Sequence, residues 1–148
     1  MSEQIPIDPI EKERPSCRVD VIRWGRTLRS ASELKTQDCS WGGFSGKFLS
    51  FVPNNNQDMV DFWKEQVAKQ RGADLFASKY IIEIPISFDD LMRLGEMCYS
   101  SDQAERALAE KKLKDLGVYI SLSSDGKGKQ QIAEIRLYRT DLVKIFDR

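Results

Sequence analysis

Residues 87–120 read "SFDDLMRLGEMCYSSDQAERALAEKKLKDLGVYI", and how this stretch is read decides the fold. Ser87 stands where a helix N-cap is needed. Asp90, three residues on, comes close to a capping box, whose usual third residue is Glu or Gln. Asp89 and Asp90 suit the positive end of a helix dipole. Leu91, Leu94 and Cys98 then fall on one helical face. A second helix starts at Ser101 or Asp102, takes Ala104, Ala107, Leu108 and Leu113 as its apolar face, and stops at Gly117. Two helices are therefore joined by a short connection around residues 99–101 and followed at once by an alternating strand.

Downstream, "VYISLSSDGKGKQQIAEIRLY" (118–138) reads as a hairpin. A two-residue Asp125-Gly126 turn would set Leu122 opposite Lys129 and Ile120 opposite Gln131, which mixes apolar and polar faces. Pairing Val118 with Leu137, Ile120 with Ile135 and Leu122 with Ala133 keeps one face apolar. The tip then falls at residues 126–129, "GKGK", although Asp-Gly is the stronger local turn signal. "RTDLVKIF" (139–146) reads as a short closing helix capped by Thr140.

Upstream, residues 57–71 suit a helix capped by Asn56 or Asp58 and broken at Gly72, with Met59, Phe62/Trp63 and Val67 near helical spacing. "YIIEIPI" (80–86) is a strand ended by Pro85, with a further turn before it at 73–78. "CRVDVIRW" (17–24) and "KFLSFVP" (47–53) read as strands, with a short helix near 30–36 between them. Pro6, Pro9 and Pro15 forbid a continuous helix at the start of the chain.

At 148 residues the chain has the length of one ordinary domain, able to bury roughly 68–70% of its unfolded surface without staples. Lys+Arg and Asp+Glu both total 23, which excludes an indiscriminate polyanion binder but leaves room for a local basic face. Three cysteines (Cys17, Cys39, Cys98), no C-x-x-C and no histidine remove a Cys/His zinc site and the commonest general base. "DGKGK" lacks the P-loop spacing. Helix capping explains Asp89–Asp90 more simply than a metal pair does. The expectation is a non-enzymatic chain without metal or cofactor. Its first residues carry no signal-peptide pattern and no stretch reaches membrane-spanning length, so a cytoplasmic protein with reduced thiols is expected.

In order, residues 57–148 run helix, strand, helix, tight turn, helix, strand, loop, strand, helix. That order resembles the winged helix-turn-helix superfamily, and "FDDLMRL", the connection at 99–101 and "KKLKDLGVYI" carry the resemblance. It implies an α+β fold: a winged-helix-like domain at 57–148, a β-rich extension at 17–56 and a flexible arm at 1–16. It also implies duplex DNA as partner. The third helix would enter the major groove with Ser100, Ser101, Gln103 and Arg106 near its N-terminus, where Gln meets adenine and Arg meets guanine. Lys111, Lys112 and Lys114 would meet phosphates, and Lys127 and Lys129 would do so from the wing. The plain alternative is a solvated helix with pairs such as Arg106–Glu110, and a solvated hairpin tip. From Ala104 to Arg148, ten basic residues face seven acidic ones, a modest local excess.

Two further readings stay open. One is a protein-interaction module, such as a small inhibitory or accessory protein of a mobile element, that binds a protein partner and no nucleic acid. The other is a single-strand or RNA binder, in which Arg18, Arg23, Arg26, Arg29 and Lys47 interleave with Trp24, Trp41, Phe44, Phe48 and Phe51. In its plain form those aromatics build a small β core and the arginines face water.

Overall fold

The alternation at 17–24 becomes strand β1 (Cys17–Gly25), in which Cys17, Val19 and Val21 are buried on one face and Ile22 and Trp24 on the other. A strand with both faces buried belongs inside a sheet. The computed structural model describes residues 15–35, 37–41, 44–124 and 127–148, with backbone alone for 37–41 and 44–46. The first fourteen residues, which hold nearly all of the expected arm, lie outside the described residues, as do residues 36, 42–43 and 125–126.

After β1 come a 3-10 turn (Ala31–Glu33), shorter than the helix expected there, then β2 (Gln37–Trp41) and β3 (Phe44–Pro53). Helix α1 (Gln57–Arg71) precedes β4 (Phe76–Ile84), α2 (Phe88–Met97) and α3 (Gln103–Leu116). The chain ends in β5 (Val118–Ser124), β6 (Gln130–Leu137) and β7 (Lys144–Asp147). Local chemistry sets the helix ends. Asn56 accepts from the amides of Asp58 and Met59, Ser87 from that of Asp90, and Asp102 from those of Ala104 and Glu105. Each cap satisfies donors that would otherwise be orphaned and contributes about 1 kcal/mol. Gly117 stops α3 in the left-handed conformation, φ 79°.

Among the described residues six strands run in the order β5-β6-β3-β1-β4-β7, every neighbouring pair antiparallel, and β2 joins as the hairpin partner of β3. The α+β class holds. The sheet is larger than a helix-led module calls for, because β1 and β3 lie between β4 and β6. β4 pairs along all nine residues of β1, from Cys17↔Ile84 to Gly25↔Phe76. β6 pairs with β3 through Leu49↔Leu137 and Phe51↔Ile135.

Helices α2 and α3 cover one face. Their Leu91, Leu94, Ala109 and Leu113 pack with Val21, Leu49, Phe51, Ile82, Ile120 and Ile135 in the main core. Each fully buried side chain of this kind contributes about 1.5–3 kcal/mol. Helix α1 lies on the opposite face, where Val60, with Trp63 and Val67 packed against it, meets Ile22, Trp24 and Val52.

Two expectations are corrected. The segment 139–146 forms no closing helix: Thr140 lies in a turn, and β7 adds to the edge of β4 through Ile82↔Ile145 and Ile81↔Phe146. The edge of β4 that faces away from β1 offers a ladder at residues 80–83 that a helix over "LVKIF" would leave empty. In the hairpin, Val118↔Leu137 and Ile120↔Ile135 pair as expected, but Leu122 pairs with Ile132 because a bulge between Ser121 and Leu122 leaves Ala133 over. Ser124 pairs with Gln130, so the loop is five residues, 125–129, of which 127–129 are described. No helix among the described residues is long and apolar enough to cross a membrane.

Candidate nucleic-acid interface

The connection between α2 and α3 is tied down by its own side chains. The Ser100 hydroxyl accepts from the Asp102 amide at 3.1 Å, and Asp102 in turn caps α3. Next to them, the Tyr99 hydroxyl accepts from the Leu122 amide of β5 at 3.3 Å. This bond docks the connection against the outer edge of the sheet, two residues before the strand ends at Ser124. The α2–α3 connection therefore meets β5 near the end of that strand at Ser124.

Ser101 and Gln103 are exposed there, while Ser100 is half-buried. Arg106 is half-buried too, and its Nη1 donates to the Ser100 carbonyl at 3.2 Å. That contact holds the guanidinium against its own turn. Lys127 and Lys129 are exposed on either side of Gly128, whose φ of 89° is a conformation that side chains rarely adopt. Further along α3, Lys111 pairs with Asp115 at 3.2 Å, an exposed i,i+4 pair worth about 0.3–0.5 kcal/mol. Lys112 and Lys114 are exposed. Over residues 88–116, seven acidic side chains accompany five basic ones. The helix pair as a whole therefore carries a net negative charge.

Arg26 and Arg29 lie elsewhere. Arg26 Nη2 donates to the Arg71 carbonyl at 3.1 Å, at the C-terminal end of α1. Arg29 is exposed and its carbonyl accepts from the Tyr80 hydroxyl at 2.6 Å. A 15-residue helix is about 22 Å long, which separates Arg26 from the Asn56 end. Trp24, Phe48 and Phe51 are buried, so they form core and not stacking platforms. The side chains of Trp41 and Phe44 lie outside the described residues.

A cleft of about 430 Å³ that sequence reasoning did not single out opens between the start of α1 and the β5–β6 hairpin, on the sheet face opposite α3. Phe62 and Trp63 line it from the helix, and Ser123, Ser124 and Gln131 from the hairpin. The signal was the pair "FW" at 62–63, since two adjacent aromatics cannot both face one core. Phe62 is 52% exposed. A second, polar groove of about 770 Å³ runs along α2 and the α2–α3 connection, with Asp89, Glu96 and Glu105 around Met92 and Met97.

Burial pushes the Cys17 and Cys98 thiols above the usual thiol value, so little thiolate is present at neutral pH. The side chain of Cys39 lies outside the described residues. Asp89 and Asp90 sit in the first turn of α2, where Asp90 accepts from Arg93 Nη1 at 2.9 Å. Among the described residues no three Cys, Asp or Glu side chains come together as a metal site would require. No protein-family model, no curated protein and no solved structure matches the chain.

Proposed function

We propose that this chain is a non-enzymatic, cytoplasmic DNA-binding accessory protein that contacts duplex DNA with the first turn of α3 and the loop 125–129. The observation that carries the reading is the Tyr99–Leu122 hydrogen bond, which ties the α2–α3 connection to β5 two residues before that strand ends. Lys127 and Lys129 meet phosphates, and Ser101 and Gln103 face base edges; this division of labour is the one the winged-helix resemblance implies. Arg106, held by the Ser100 carbonyl, braces the turn in the free protein.

Binding to a duplex across a salt series tests the reading. Affinity is expected to fall steeply with salt, and Lys127→Ala with Lys129→Ala to reduce the slope of log K against log salt by about 1.8, or 0.9 for each lost phosphate. No binding at low salt, or an unchanged slope in the double variant, overturns it.

The acidic groove on α2 favours a second reading, a module that takes a basic protein segment. Charge reversal at Glu96 then abolishes capture of such a segment and leaves duplex affinity unchanged.

A further inference from the structure

We infer that the cleft between α1 and the β5–β6 hairpin binds a single unpaired nucleotide. The inference is independent of the duplex reading, because the cleft and α3 lie on opposite faces of the sheet. Its walls and floor differ in chemistry in the way a nucleobase requires. On the wall, the Phe62 and Trp63 rings stand edge to face, 5.4 Å between centroids and 77° between planes. Trp63 packs against the small second core, whereas Phe62 leaves half its surface in solvent at the mouth of a cleft. A large aromatic in that position is a ready face for a base to stack on, whatever the base.

The floor is polar. Ser123 Oγ is enclosed and makes no hydrogen bond, an uncommon state for a buried hydroxyl. Asn56 Nδ2 donates to Gln131 Oε1 at 3.0 Å, while Asn56 Oδ1 is used by the α1 cap. That arrangement leaves the Gln131 amide nitrogen as a donor and Ser123 Oγ as donor or acceptor, the mixed pattern that a base edge presents. The volume lies within the roughly 300–1,000 Å³ of small-molecule sites. Asp58 also lines the cleft and disfavours a phosphate inside it, so the base enters and the phosphate stays outside.

Trp63 emission reports occupancy. The probe is a six-nucleotide single-stranded DNA of mixed sequence at low salt. A saturable change in emission is expected in the native chain and is absent in Trp63→Phe. Affinity is expected to fall about tenfold in Phe62→Ala and in Gln131→Ala, as loss of one stacked or hydrogen-bonded base contact requires. Melting temperature falls only slightly in Phe62→Ala, since half of that ring is in solvent and its loss removes the edge-to-face contact with Trp63. Ser123→Ala separates binding from folding: it weakens the oligonucleotide while leaving the melting temperature unchanged or higher, because its hydroxyl has no internal partner to lose. Four results overturn the proposal: no saturable change, native affinity in both Phe62→Ala and Gln131→Ala, an equal change in Trp63 emission on adding the same sequence as a duplex, or an uncharged aromatic peptide that binds the cleft as tightly.

Discussion

At Gly95 the absence of one carbon sets how closely α2 approaches β5. A Cβ there would lie 2.7 Å from Ile120 Cδ1 and 3.3 Å from Leu122 Cδ1. Ile120 is fully buried, so little room exists for it to move. Gly95→Ala is expected to destabilise the protein by about 1–3 kcal/mol, despite alanine's better helix propensity, as an overpacked core site does. Urea unfolding checks it, and a stabilised variant would mean that α2 stands off β5. This residue was not legible in the sequence, because its reason for being glycine lies 25 positions away. The caps were legible. Ser87, Asp102 and Asn56 act on amides two or three residues on, and a local rule reaches that far. Among the candidate site residues, Gln103 and Ser101 are as exposed as a helix start implies, whereas the bond from Arg106 to Ser100 depends on the fold of the turn.

At the scale of elements, β6 was read as one apolar and one solvated face, and both faces are buried. Glu134 and Arg136, each about 4% exposed, form an ion pair at 2.9 Å on the face opposite Ile135 and Leu137. Ser50 donates to the Glu134 carboxylate, and the Arg136 guanidinium lies 5.3 Å from the Phe48 ring centre. Glu134→Gln removes the charge opposite a buried guanidinium and is expected to cost about 3–5 kcal/mol, while Glu134→Leu with Arg136→Met is expected to fall near neutral. Denaturant melts of the two variants check this. Equal loss in both would mean that polar satisfaction matters less here than shape. Alternation cannot reveal such a pair, since charged residues at period two ordinarily mean water. The closing segment shows the same limit. Leu142, Val143, Ile145 and Phe146 suit either period, and the vacant edge of β4 decides for a strand. The hairpin register was legible near its base, where Val118 and Ile120 have apolar partners, and was lost at the bulge, where one residue drops out of the count.

For the whole molecule, the sequence suggested an extension followed by a module, and the sheet joins both stretches. The strands at 17–25 and 44–53 were each legible by alternation, but their place at the centre was not. Strand order is set by pairings such as Cys17↔Ile84 and Phe51↔Ile135, separated by more than sixty residues, for which local patterning carries no signal. The same long-range pairing brings β6 beside β3, which fixes the β5 edge on which the Tyr99 contact is made. The cleft was illegible for this reason too, since its two walls come from 56–63 and 123–133. The most direct measurement is therefore made on residues 57–148 expressed alone. Without β1 and β3 the fragment leaves β4 and β6 with no shared sheet, so it is expected to show no cooperative unfolding transition and no salt-dependent duplex binding, while the full chain shows both. A fragment that unfolds cooperatively and binds duplex DNA with the affinity of the full chain would contradict the account.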